Sequence, residues 1–287
     1  MRRGPFPRIG PMQFIQGLAA AQQRHDSLLC VGLDPEPERF PELWRGEPAR
    51  IFDFCCAIVD ATKDLVCAYK PQIAYFAAHR AEDQLERLMA YIRRVAPDLP
   101  VILDAKRGDI GSTAEQYARE AFVRYEADAV TLSPFMGFDS IEPYLAYDGR
   151  GLILLCRTSN PGGDDLQAQT LANGDRLFEH IAKLASGPWN RSGRLGLVVG
   201  ATFPAEVARV RELAPTVPLL IPGIGAQGGD ASATVVAGWR PTGPIVVNSS
   251  RAVLYAGGGE GFALAARAAA RATRDVLAAA RRDPRCS

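Results

Sequence analysis

The sequence predicts an α/β chain folded as a single (β/α)₈ barrel with an N-terminal helix. Three observations lead there. Short apolar runs recur along the chain, and most are followed by a helix-like stretch, at about the spacing that eight βα units need. The length, 287 residues, suits one barrel, and no linker-like stretch divides it. Polar residues capable of chemistry fall directly after the apolar runs, where a barrel gathers its working groups. An open doubly wound sheet is the alternative, since counting strands does not establish closure.

In order, residues 1–11, MRRGPFPRIGP, are basic and lack the apolar stretch of a signal peptide. They are expected to be a loose extension or an over-read translation start, with the barrel assigned to 12–287. Met12 opens a helical stretch, FIQGLAAAQQRH, ahead of a first strand at Leu28–Asp34 that Pro35 and Pro37 end. Ile51–Val66 has helical periodicity, Ala68–Phe76 is expected as the second strand, and Glu82–Val95 as an amphipathic helix. The third strand begins at Val101, with its helix at Ala114–Tyr125. The fourth is Ala127–Leu132, with a short helix near Ile141–Tyr147. The fifth is Gly151–Cys156, followed by a polar loop, Arg157–Asn173, and a helix near Leu177–Ala185. Leu195–Val199 is the sixth strand, and Pro204–Leu213 a helix with Pro in its first turn. Pro218–Pro222 and Pro244–Asn248 are the last two strands, and the alanine-rich Gly261–Arg282 is a closing helix.

Composition removes several functional classes. Hydrophobic content of 47% and charged content of 23% are ordinary for a globular protein. A net charge of +1 gives no general attraction to nucleic acid or an anionic membrane, so a substrate anion must be met by local charge. No apolar run approaches the length of a membrane span. Cys30, Cys55, Cys56, Cys67, Cys156 and Cys286 contain no C-x-x-C pair, and several lie in apolar runs, which predicts reduced thiols in a cytosolic protein. His25, His79 and His180 are far apart, against a zinc centre or a Ser-His-Asp triad. The chemistry is left to Lys, Asp and Arg.

The most informative stretch is Val101–Thr113, VILDAKRGDIGST. An apolar strand start is followed by Asp104, Lys106 and Asp109, with Asp104 and Lys106 on one face by strand alternation. Gly108 is expected to permit the turn, and Ser112 with Glu115 has the pattern of a helix capping box. A solvated surface ion pair is the plain reading of D-x-K. It loses force directly after a buried strand, where lone charges are costly. Lys70, on the neighbouring strand of a barrel, would come near Asp104, and Lys70, Asp104, Lys106 and Asp109 together would be almost neutral. The second informative pair is PGIGAQGG at Pro222–Gly229 and NSSR at Asn248–Arg251. Loops after the seventh and eighth strands commonly hold phosphate, through backbone N–H groups that glycines leave accessible and, here, through Arg251.

DAKRGDIGST resembles the D-x-K-x-x-D signature of the orotidine 5′-phosphate decarboxylase family. GLDP at Gly32–Pro35, YKPQIAYF at Tyr69–Phe76, TSNPGG at Thr158–Gly163 and PGIGAQGG resemble its longer bacterial branch. The likeness runs from about Leu28 to Arg251. It implies a cofactor-free, metal-free lyase that makes uridine 5′-phosphate, acting as a homodimer with shared active sites. It implies that Asp34 and Lys70 contact the ribose, Asp104 lies beside the substrate carboxylate and Lys106 gives C6 its proton. Asp109 and Thr113 would reach the neighbouring subunit's ribose, and Ser159 the pyrimidine edge. Gln227 would bridge base and phosphate, with Arg251 and the turn at Gly225 and Gly228 on the phosphate. Two competitors remain. A magnesium-dependent sugar-phosphate lyase of the same superfamily needs further metal-binding carboxylates, which we do not identify in the sequence. A non-catalytic phosphometabolite-binding barrel needs neither Asp104 nor Lys106.

Overall fold

The computed structural model describes residues 14–224 and 230–286, so the N-terminal extension at 1–11 lies outside it, as do the glycine-rich residues 225–229. The chain begins with helix α1 (Phe14–His25) and strand β1 (Leu29–Leu33), followed by α2 (Ile51–Thr62) and β2 (Ala68–Pro71). A short α3 (Ile73–Ala77) and α4 (Glu82–Val95) lead to β3 (Ile102–Arg107), α5 (Gly111–Arg119) and β4 (Ala129–Leu132). Then come β5 (Gly151–Arg157), α6 (Leu177–Ser186), β6 (Leu195–Val199), α7 (Pro204–Leu213) and β7 (Leu219–Pro222). The chain ends with α8 (Ala231–Gly238), β8 (Ile245–Ser249), α9 (Arg251–Leu254) and α10 (Phe262–Arg281).

The strands form one parallel sheet in the order β2-β1-β8-β7-β6-β5-β4-β3. Its two ends meet. Parallel bridges pair Tyr69 with Val101 and Gln72 with Asp104, and the Tyr69 amide donates to the Pro100 carbonyl at 3.1 Å. The sheet is therefore a barrel, and the open doubly wound alternative is excluded. Residues throughout β1, β2, β4, β6 and β8 are buried, which explains why their sequences are largely apolar. The helices supply the outer layer. In α4 the buried side chains are Leu85, Leu88, Met89 and Ile92, one helical stripe, with Glu82 and Asp83 in the first turn and Arg93 and Arg94 in the last. Helix α1 seals the N-terminal end: Phe14 packs where a Cβ on Gly151 would stand, and Gln22 Nε2 donates to the Ile245 carbonyl at 2.7 Å.

Several local expectations are corrected. The second strand stops at Pro71 rather than Phe76, because proline has no N–H for the ladder and Gln72 caps α3 by accepting from the Ala74 amide. The capping box at Ser112 and Glu115 does not form. Helix α5 starts at Gly111, and its N-cap, Ile110, makes no side-chain cap bond. Residues 120–124 continue that helix as one wider π-type turn. The left-handed backbone of this region falls at Lys106 (φ 46°) and Gly111 (φ 54°), not at Gly108. Gly108 is needed for space instead, since a Cβ there would lie 3.1 Å from Ser133 Cβ and 3.2 Å from its carbonyl oxygen. The segment near Ile141–Tyr147 forms two 3₁₀ turns, and the polar loop after β5 contains a third at Pro161–Asp165. Helix α8 was not anticipated. Its sequence, ASATVVAG, carries little amphipathic signal, although Asp230 caps it through the Ala233 amide at 3.0 Å.

Candidate active site

Because β2 and β3 are neighbours, Lys70 and Asp104 project into the barrel mouth side by side. Lys70 Nζ donates to Asp104 Oδ2 at 2.7 Å and Lys106 Nζ to Asp104 Oδ1 at 2.7 Å. Thr131 of β4 adds a third donor, its hydroxyl giving a hydrogen bond to Asp104 Oδ1 at 2.8 Å. The Lys70 and Asp104 side chains are almost fully buried, whereas that of Lys106 is 46% exposed and so faces the opening. Burial alone would push the Asp104 carboxyl up. The two ammonium groups outweigh it and hold this carboxyl well below the usual carboxylate range. Burial likewise disfavours the Lys70 ammonium, but Asp104 and then Asp34 hold its pKa above the ordinary lysine value. Asp104 and Lys70 are therefore ionised at neutral pH despite their burial, each charge held by its partner.

The adjoining wall comes from β1, which pairs directly with β2, and from β8. Asp34 follows β1 by one residue, and its Oδ1 is buried with no hydrogen-bond partner in the structure, as is Asn248 Oδ1 on β8. Tyr255 fixes this turn, its hydroxyl donating to the Asp34 carbonyl at 2.9 Å and accepting from the Glu36 amide at 2.6 Å. A side chain at Gly32 would strike Ser250 Oγ at 1.9 Å, so the GLDP turn needs glycine for β8 and its loop to close in. The resulting cleft is lined by Asp34, Lys70, Asp104, Lys106, Asn248 and Arg251, with Gln72, Tyr75 and the Pro222–Ile224 segment completing it. An anionic group entering here meets Arg251 at the N-terminus of α9 on one side and the two ammonium groups on the other.

The sequence-derived residues divide into three groups. Asp34, Lys70, Asp104, Lys106 and Arg251 meet in this cleft. Asp109, Thr113 and Ser159 lie outside its lining. Asp109 Oδ1 accepts only the amide of its own neighbour Ile110, at 2.9 Å, among its described bonds, Thr113 is exposed on α5, and Ser159 is half-buried just beyond β5. Gly225, Gln227 and Gly228 fall outside the described residues. Sequence reasoning missed Gln72, Tyr75 and Asn248 of the lining and, above all, Thr131. The first three stand in or beside motifs it had singled out, so closer reading of YKPQIAYF and NSSR could have found them. Thr131 is one β-branched residue in an apolar strand, and no local signal marks it. Among the described residues no group of three His, Cys, Asp or Glu side chains is placed to hold a metal ion. What the site offers is a carboxylate clamped between two ammonium groups, one of them exposed and able to donate a proton.

Comparisons with known proteins agree over nearly the whole chain. The family model described as "Orotidine 5'-phosphate decarboxylase / HUMPS family" matches residues 27–263. The chain is 75% identical over 273 residues to an orotidine 5′-phosphate decarboxylase of Paracidovorax citrulli, covering 94% of this chain and 100% of that one. It is 73% identical over 278 residues to the enzyme of that name from Methylibium petroleiphilum, with coverage of 94% and 100%. Among solved structures, Leishmania donovani OMP decarboxylase superposes with a TM-score of 0.82 at 38% identity, covering 94% of this chain and 99% of that chain.

Proposed function

From the chain's membership of the orotidine 5′-phosphate decarboxylase family, we propose how its residues carry out the family's reaction. The reaction converts orotidine 5′-phosphate to uridine 5′-phosphate and carbon dioxide, the last step of de novo pyrimidine nucleotide synthesis. The observation that carries the assignment is Asp104 held at 2.7 Å from both Lys70 and Lys106 at the barrel mouth.

Loss of carbon dioxide from C6 breaks the C6–carboxylate bond and leaves its electron pair in the plane of the pyrimidine ring, where the π system cannot delocalise it. A fixed cation must stabilise that pair, and Lys106 Nζ both faces it and hands it a proton, forming the C6–H bond. The neutral amine left behind regains its proton from water. Asp104 keeps the ammonium aimed and stands beside the departing carboxylate. Asp34, with its unpartnered buried oxygen, accepts from a ribose hydroxyl, and Lys70 supports the same region. Arg251 holds the phosphate together with Gly225 and Gly228, Gln227 bridges phosphate and base, and Ser159 meets the pyrimidine edge. The phosphate contacts supply remote binding energy for closing the site. No cofactor or metal takes part.

Asp109 and Thr113 serve the neighbouring subunit of a homodimer. Asp109 does not cap α5, which leaves its carboxylate available on the rim. Ile110, Phe135 and Met136 near that rim are 49%, 76% and 47% exposed, apolar surface that a second copy would cover. The enzyme works in the cytoplasm, in keeping with six unbridged thiols and with no described helix long and apolar enough to cross a membrane.

The direct test follows the ultraviolet absorbance of orotidine 5′-phosphate in excess chelator. Turnover there is the expected outcome. No turnover, with or without a restored divalent ion, would overturn the reading and favour the sugar-phosphate lyase or the binding protein.

A further inference from the structure

The ladder between β3 and β4 slips within the stretch that carries the charged array. Pairing runs Ile102 with Ala129 and Leu103 with Val130, then resumes only at Arg107 with Leu132. Inside the slipped stretch, Lys106 has left-handed backbone (φ 46°), which side-chain-bearing residues rarely adopt. The amides of Ala105 and Lys106 both turn to one acceptor, Thr131 Oγ1, each at 3.0 Å. That hydroxyl in turn donates to Asp104 Oδ1 at 2.8 Å, the oxygen that also receives Lys106 Nζ. Two accepted bonds and one donated bond use the whole capacity of a hydroxyl, and Thr131 is only 1% exposed.

We propose that Thr131 is a positioning residue for decarboxylation: its hydroxyl sets the bulge that turns Lys106 toward the cleft and fixes the rotation of the Asp104 carboxylate. It touches no reacting atom. It acts through Asp104 and Lys106, and so rests on the roles given to them above. Valine has the same outline but no hydroxyl, and would leave two inward amides without an acceptor and Asp104 without its third donor. The bulge would relax toward a regular ladder, and the Lys106 ammonium would lose its fixed aim, a loss felt in the chemical step rather than in binding.

The test compares Thr131→Val with Thr131→Ser. For Thr131→Val, kcat should fall roughly 10–100-fold, the range expected when a hydrogen bond to a charged group is lost, with KM within about threefold of wild type. Thr131→Ser keeps the hydroxyl and should restore kcat to within about threefold. If Thr131→Val does not fold, Thr131→Ala replaces it in the same comparison. A hydroxyl-free variant with wild-type kcat would overturn the proposal, and so would a serine variant as impaired as valine, since packing and not the hydroxyl would then be at issue. Failure of the underlying reading shows separately, as turnover that survives Lys106→Ala.

Discussion

A carboxylate between two lysines makes its own pH signature. The Asp104 pKa is depressed in the fold, so its stabilising contribution is complete above the ordinary carboxylate value near 3.9 and is lost only as pH falls through the lower folded value. Lys70→Met removes one of the opposing ammonium groups and leaves burial, which pushes the carboxyl up, less opposed. Acid unfolding followed by circular dichroism should then begin at higher pH than in wild type. An unchanged midpoint would show that Lys70 does not hold Asp104 ionised. Arg251 makes a different kind of contribution. It lines the far side of the cleft and is exposed at the start of α9, so Arg251→Ala should weaken uridine 5′-phosphate binding by roughly 1.5–3 kcal/mol and leave uridine binding almost unchanged. Equal losses for nucleotide and nucleoside, measured by calorimetry, would remove the phosphate assignment.

At the scale of elements, the frame around β7 and β8 hangs on one buried guanidinium. Arg211 of α7 is 3% exposed and donates to the carbonyls of Gly238, Ala214, Pro215, Val217 and Pro244 at 2.6–3.2 Å. It thereby ties α7 to the end of α8 and to the entries of β7 and β8. Arg211→Met leaves those carbonyls short of donors and should cost at least about 3 kcal/mol, lowering Tm by roughly 6–12 °C. Arg211→Lys should fall between, since an ammonium has three donors where guanidinium has five. A methionine variant that melts like wild type would make this hub dispensable. Arg211 also marks a limit of reading by sequence. In a helix rich in charge it looks like any solvated arginine, and only the packed fold reveals its carbonyl partners. The eight strands were legible because parallel strands buried on both faces are largely apolar, and the charges at their ends stood out against that background. Helix α8 and the bulge at Lys106 were not. The first is too small and uniform in its side chains, and the second depends on the register between β3 and β4, which involves residues 25 or more positions apart.

At the scale of the whole molecule, closure of the barrel by the Tyr69–Val101 and Gln72–Asp104 bridges is what turns scattered strand ends into one site. Lys70 and Asp104, 34 positions apart in sequence, become partners only because the first and last strands of the sheet order meet. One chain nevertheless leaves Asp109 on the rim, outside the cleft that holds Lys106. In the proposed homodimer the site would be completed between two copies, each lending Asp109 to the other. Mixing Lys106→Ala and Asp109→Ala chains, each inactive alone, tests this most directly once subunit exchange has been verified. In the heterodimer one site receives both defects and the other receives neither, so activity should return to at most about half of wild type per dimer, as two-fold symmetry requires. Verified exchange with no return of activity would contradict the shared site and confine Asp109 to its own chain.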